Sequence, residues 1–576
     1  MKLHLTCLVL TTPMVTATAM HAQIPIFTDQ TSAAGVTFTH STGEPDIGEA
    51  ELMTAGVGVA DFNRDGWLDL FVQGGLGQNS ALFINNGDGT FADRATAWGI
   101  DLTGVEGSSV TIGDVDGNGY PDVYVGALNG RNHLLLNTGR GGFIENAVKA
   151  GIGLQAGTFG ATLGDIDLDG DLDLYTTQWW QWSEDGCRLF VNDGTGTFID
   201  TTEAAGLLIQ TSGDYWAFSP TLVDLDGDRY PELVVAADFG TSRYFVNNTD
   251  GTFTALSDTG TCTDENGMGS AIADYDNDGD LDWFVTAIFD DDGTLEGGWG
   301  ITGNRLYQNQ GGHLYTDVTD LAGVRNGDWG WGASFADFNH DGCLDLVMTN
   351  GFVYPSGSNP DPTFVDDPAR LWISDCDLVN GPGFTEVSAP SGLDHTASGK
   401  GLVTLDYDHD GDLDLVMTTN LGDLVLYRNE TNPPGATWIE VDLVSPPGNA
   451  PDGFGAVVRL TVGPDTLTRV IHGGMTYMSQ EPQRLHFGFP IAPKIDEIRI
   501  EWPDGNETVL WNVVPGQIIA VNNGDLSGDG EVNVEDFDII LAAWGPCPGP
   551  EPCAADLNHD DAVGVIDLLI VLANWS

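Results

Sequence analysis

Asp165-Ile166-Asp167-Leu168-Asp169-Gly170-Asp171-Leu172-Asp173 sets carboxylates at positions 1, 3, 5 and 9 of an acidic loop, with glycine at position 6. In an extended loop of this kind the odd positions turn to one side together. Ca²⁺ takes about 6–8 oxygen ligands from carboxylates, carbonyls and water, so the set suits a hard cation. Glycine permits the sharp turn that folds the loop around the ion. One such run alone reads equally well as a solvated surface loop. Six further copies begin at Asp61, Asp114, Asp224, Asp274, Asp337 and Asp406, and that recurrence favours a cation.

The copies are spaced by roughly 50 to 70 residues, the period of a propeller blade. A small-residue strand such as 54–60 leads into each loop, and an apolar strand such as 68–72 leaves it. A third strand, as at 81–85, runs into a glycine turn and a closing strand opened by Phe91. Four short antiparallel strands per unit match a blade. Phe27-Thr28-Asp29 looks like a closing strand, whereas the seventh unit breaks off after Tyr427-Arg428-Asn429. The expectation is a mainly β chain: a seven-bladed β-propeller over residues 23–432, its last blade completed by the N-terminal strand.

Composition bounds the function. Among 576 residues, 86 are acidic and 19 basic, for a formal charge of −67. That charge repels nucleic acid and anionic membranes and leaves metal as the counter-ion. The 77 glycines and 27 prolines fit many short strands joined by tight turns. Residues 1–22 read as a signal peptide, with Lys2, the apolar run 3–10 and cleavage at Ala19 or Ala22. No later run approaches the ~20 apolar residues of a membrane helix, so no membrane span is expected. A secreted or cell-surface location follows, where disulfides are allowed. Cys343 with Cys376 and Cys547 with Cys553 are candidate local pairs; spacing alone leaves connectivity open.

The repeats resemble the FG-GAP, or VCBS-type, units of integrin-like propellers. The resemblance implies one calcium per loop, bound by side chains at 1, 3, 5 and 9 and by the carbonyl at 7. Carried over, the ligands are Asp61, Asn63, Asp65, Trp67 and Asp69; Asp114, Asp116, Asn118, Tyr120 and Asp122; Asp165, Asp167, Asp169, Asp171 and Asp173. They continue with Asp224, Asp226, Asp228, Tyr230 and Glu232; Asp274, Asp276, Asp278, Asp280 and Asp282; Asp337, Asn339, Asp341, Cys343 and Asp345; and Asp406, Asp408, Asp410, Asp412 and Asp414. The fourth loop departs most, with Arg229 in place of glycine and Glu232 in place of aspartate.

Residues 436–522 lack such loops. Gly453-Phe454-Gly455-Ala456, Ser479-Gln480-Glu481-Pro482 and Trp502-Pro503-Asp504-Gly505 resemble the ASPIC/UnbV domain that follows propellers in proteins similar to cartilage acidic protein. A small β-sandwich-like module is expected, with His472 and His486 as structural residues. Residues 523–576 repeat a loop and an apolar helix 31 positions apart. Asp525, Ser527, Asp529, Glu531, Asn533 and Asp536, then Asp556, Asn558, Asp560, Ala562 and Asp567, fall at EF-hand positions. The pattern resembles a small helical type I dockerin, which implies up to two more calcium ions and a cohesin-like or surface partner. Val534-Glu535 and Val565-Ile566 replace the usual Ser-Thr recognition pair.

Three connections between second and third strands are long, and insertions at one blade position map to one face. Trp179, Trp180, Trp182 and Trp299 lie in them, either covering blade edges or contacting a protein or glycan partner. The favoured function is a calcium-binding adhesion or scaffold protein without a catalytic centre. The alternative is a dockerin-bearing, carbohydrate-active protein acting in polysaccharide degradation.

Overall fold

The computed structural model describes residues 23–573 except 42–49, 76, 154–156, 180–185, 209–215, 291–299, 354–363, 379–380, 432, 523, 525–531, 548–554, 556 and 558–561. The signal-peptide reading of 1–22, Trp180, Trp182 and Trp299 lie outside the described residues.

The chain is mainly β. From Phe27 to Asn429 it forms seven four-stranded antiparallel sheets, an arrangement consistent with a propeller. The first of these in chain order orders its strands Val57–Ala60, Asp69–Val72, Ala81–Asn85 and Phe91–Asp93. Phe27–Asp29 pairs with Val425–Asn429 to complete the last sheet, Phe27 facing Asn429. The initial strands of the sheets neighbour one another in chain order, and Gly399–Leu405 of the last neighbours Val57–Ala60.

These innermost strands are rich in small residues because neighbouring backbones crowd them. A Cβ on Gly269 would lie 2.0 Å from the Trp331 carbonyl oxygen, and one on Gly401 2.2 Å from Ser479 Oγ. From the second sheet onward, hydroxyls on the first or second strand tie each sheet to the innermost strand of the next. Ser108 donates to the Thr158 carbonyl, Thr177 to Phe218, Ser219 to Met268, Thr286 to Trp331 and Thr349 to Lys400. Thr418 of the last sheet donates to Ala55, just before the first. Between sheets, apolar side chains from both neighbours interleave: Val57, Leu70 and Val72 pack with Val403, Val416 and Leu426.

After residue 435 come a three-stranded sheet, in which Ala436–Val444 pairs antiparallel with Leu485–Pro490 and parallel with Ile518–Asn522, and a four-stranded antiparallel sheet over 457–513. Their facing side chains, including Ile439, Phe487, Leu460 and Ile498, form one core that also takes in Val115, Leu163 and Leu172 from the repeats. The module therefore does more than rest on the repeat region. Its segment Gly473–Glu481 runs among the innermost strands. Gln480 N–H donates to the Val57 carbonyl and the Gln480 carbonyl accepts from Val59. The Met478 carbonyl accepts from Val110, and that of Thr476 accepts from Ser270. Tyr477 is fully buried and donates to the Met53 carbonyl at 3.1 Å.

In the C-terminal residues, Val534–Ala543 and Val565–Ala573 are helices packed together through Ile540, Val563 and Val571. No described helix is long and apolar enough to cross a membrane.

Candidate metal centres

Each acidic loop is a turn built by its own carboxylates. In the third, Asp165 accepts the N–H of Asp169 at 3.1 Å on Oδ1 and of Gly170 at 2.9 Å on Oδ2. Asp169 then accepts from Asp171. Position 9 ties the loop to the sheet: Asp173 accepts from Ile166 on one oxygen and from Asn192 on the other. The same two-sided role recurs at Asp69, Asp122, Asp282, Asp345 and Asp414.

These bonds leave carboxylate lone pairs free and bring oxygens together. Ligand atoms of Asp165, Asp167 and Asp173 lie within 4.8 Å of one another, as do those of Asp114, Asp116 and Asp122 and of Asp224, Asp226 and Asp228. At position 3, Asp116 Oδ1, Asp276 Oδ1 and Asp408 Oδ1 are buried without a hydrogen-bond partner. Burial pushes the carboxyls of Asp69 and Asp122 up to about 8 and that of Asp165 up to about 7. A group of buried carboxylates is costly to ionise without a countercharge. Orphaned oxygens in an all-oxygen set are what a hard cation satisfies, so the residues present fit Ca²⁺.

Several expected ligands also have partners of their own. Asn118 donates its amide to the Asn137 carbonyl at 2.8 Å, and Asn63 donates to Asp65. In the last loop, Arg428 pairs with Asp408 and Asp410. In the sixth, Cys343 and Cys376 form a disulfide, which leaves only the Cys343 carbonyl as a ligand. In the C-terminal residues, Asp536 and Asp567 are buried and accept from Asn533 and Gly564 at 2.7 Å. Asn533 is half-buried there, and Ala562 lies in a two-residue strand with Val563. Asp525, Ser527, Asp529, Glu531, Asp556, Asn558 and Asp560 fall outside the described residues, as does Cys553, the expected partner of disulfide-bonded Cys547.

Trp179 is 4 % exposed, packs on Phe159, Trp216 and Phe218, and donates Nε1–H to Asp238. Its ring is a core element and offers no contact surface. His472, half-buried, accepts from Gly474 on Nδ1, and buried His486 bonds the Gly411 carbonyl through Nε2; both are partners within the fold.

A set of asparagines at the end of the third strands escaped the sequence reading. Asn85 donates to the Tyr407 carbonyl, Asn137 to Phe62, Asn192 to Val115, Asn247 to Ile166, Asn309 to Leu225 and Asn429 to Phe338. Each reaches the loop of the preceding unit, and Asn85 reaches from the first unit to the last. The signal was present, since asparagine stands two residues before each of the turn glycines 87, 139, 194 and 311. The loop side of the sheets is covered by the C-terminal module: Arg64 pairs with Asp452, Arg484 donates to the Gly66 carbonyl, and Arg459 to that of Gly279.

The repeated acidic loops on four-stranded sheets and the two-sheet module after them are the regions on which the family matches fall. Residues 61–125, 114–176, 179–235 and 224–285 match the FG-GAP-like repeat family, and 446–527 match "ASPIC and UnbV". The chain is homologous to cartilage acidic protein 1: it is 23% identical to the Homo sapiens protein over 523 residues, 84% of this chain and 74% of that one. Identity to the Mus musculus protein is 22% over 507 residues, covering 81% and 73%. Among solved structures, an Agrocybe aegerita lectin specific for non-reducing terminal N-acetylglucosamine aligns over 60% of this chain and 82% of its own, at 18% identity and TM-score 0.39. Rhamnogalacturonan lyase YesW aligns over 66% and 73%, at 15% identity and TM-score 0.33.

Proposed function

We propose that the protein is a secreted, calcium-stabilised scaffold or adhesion protein whose repeats form a closed seven-bladed propeller. The buried, unpartnered oxygens of Asp116, Asp276 and Asp408 carry the calcium reading, since a cation supplies the partner each lacks. Closure is supported by Asn85 and Thr418, each of which bonds the first unit to the last. Calcium here is structural: it binds the folded state alone and stabilises it by mass action.

With the loop side covered by the ASPIC/UnbV module, the opposite face, where the long connections emerge, is left for a protein or glycan partner. The C-terminal helix pair serves as a tether to a surface or matrix component. Calorimetric titration of the stripped protein with Ca²⁺ tests the central claim. Several equivalents of tight binding and a large rise in melting temperature are expected; no heat and an unchanged melt overturn it.

A further inference from the structure

Five positions at which the repeat breaks its own pattern lie together beside the fourth loop. Position 9 is aspartate in the other six loops and Glu232 here. On the third strand, Leu82, Leu134, Leu189, Leu306, Leu371 and Leu426 correspond to Tyr244. In the closing turn, Gly89, Gly141, Gly196 and Gly251 correspond to His313, which keeps the left-handed backbone at φ 61°. The aromatic that opens the fourth strand, phenylalanine elsewhere, is Tyr315, and Arg229 takes the loop glycine's place. A histidine held in the left-handed region is uncommon and costs conformational energy.

His313 Nε2 lies 3.2 Å from Asp226 Oδ2, and ligand atoms of Asp226, Glu232 and His313 all fall within 4.8 Å of one another. Glu232 is fully buried. Its Oε2 accepts from Leu225 at 2.9 Å, as the aspartates do, but Oε1 has no partner. The added methylene releases the oxygen that the shorter side chain spends on the third strand. Tyr244 Oη sits 3.2 Å from His313 Nδ1. With the proton on Nδ1 and donated to Tyr244, the Nε2 lone pair faces the carboxylates of Asp226 and Glu232, the arrangement a metal ion between them uses; the other tautomer makes an ordinary Nε2–H···Asp226 hydrogen bond. Ligands of a tetrahedral ion at about 2.0–2.1 Å stand roughly 3.3 Å apart, close to the separation seen. Imidazole nitrogen suits zinc-like ions, whereas calcium takes oxygen.

We propose that this loop, unlike the other six, binds a transition-metal dication of the Zn²⁺ class through His313 Nε2, Asp226 and Glu232, with Tyr244 orienting the imidazole and a fourth position for water. The site does not depend on calcium in the other loops. The test is Co²⁺ titration of the full chain, stripped and then saturated with Ca²⁺. One equivalent should give the visible absorption of a tetrahedral site, bleached by Zn²⁺ and unaffected by excess Ca²⁺. His313→Gly and Glu232→Asp each restore the residue the repeat uses elsewhere, so both should fold; both should lose the band while Ca²⁺ binding at the other loops is retained. Tyr244→Leu should weaken Co²⁺ binding by roughly 10–100-fold. Absence of the band in the parent protein, its persistence in His313→Gly, or its displacement by Ca²⁺ would overturn the proposal.

Discussion

The side-chain amide of Gln480 grips the Ile112 backbone at both ends, Nε2 donating to the carbonyl and Oε1 accepting the N–H, each at 2.8 Å. Gln480 and Ile112 are both fully buried, so water cannot replace either bond. Gln480→Ala strands a backbone donor and acceptor at about 1–3 kcal/mol for each group. A lowered denaturant midpoint is expected, together with faster hydrogen exchange at Ile112.

Without calcium, stability should fall as pH rises. Burial holds the carboxyls of Asp69 and Asp122 at about 8 and that of Asp165 at about 7, so the folded state keeps protons that the unfolded chain releases above about 4. Their contribution is complete below that pH and is lost as pH climbs through 7 and 8. Saturating Ca²⁺, which needs the ionised ligands, should flatten the trend. Calorimetric melts at pH 5 and 8, with Ca²⁺ and with chelator, check this; equal melts in all four conditions would refute it.

The asparagine contacts make a paired prediction. Asn85→Ala should cost about 1–3 kcal/mol by leaving the Tyr407 carbonyl without that donor. The sixth unit has Ser374 at the corresponding place. Ser374→Asn should add about 0.5–1.5 kcal/mol if the new amide reaches the Tyr275 carbonyl as its counterparts reach theirs. Urea midpoints of the two variants should move in opposite directions.

Tyr477 tests whether the two regions unfold together. Its ring packs on Phe218 and Trp331, side chains of the repeats, although the residue belongs to the C-terminal module. Tyr477→Ala should cost about 3–5 kcal/mol. The main endotherm should shift as a whole; a shift confined to one of two separated transitions would show that the regions melt apart.

Much of the repeat architecture was legible because each unit spells the same grammar and errors in one copy are corrected by the rest. Strand positions followed from alternation around glycine turns, and the carboxylate pattern marked the loops. What escaped was relational. Asn85 and Asn137 look like ordinary turn residues until a neighbouring sheet supplies the carbonyl. Ser479-Gln480-Glu481 carries a family resemblance but no periodicity, since its strand partners include Thr404, 77 residues from Glu481, and Val57, 422 residues from Ser479. Trp179 could be read from sequence either as a blade-edge cover or as a partner contact, because its partners Phe159 and Phe218 come from two different sheets. Linear sequence cannot display that juxtaposition.

The position of Gly473–Glu481 imposes an order on biogenesis. The strand Phe27–Asp29 must wait for Val425–Asn429, and the backbone groups of Val57, Val59 and Val110 must wait longer still, for residues 478 to 480. During vectorial synthesis at about 5–20 residues per second, the innermost polar edges stay open for tens of seconds after they emerge. Contacts so distant in sequence are slow to form. The C-terminal module therefore acts as a late checkpoint: a nascent chain cut short before it would hold sheets whose central backbone groups have no partner, a natural target for quality-control proteases.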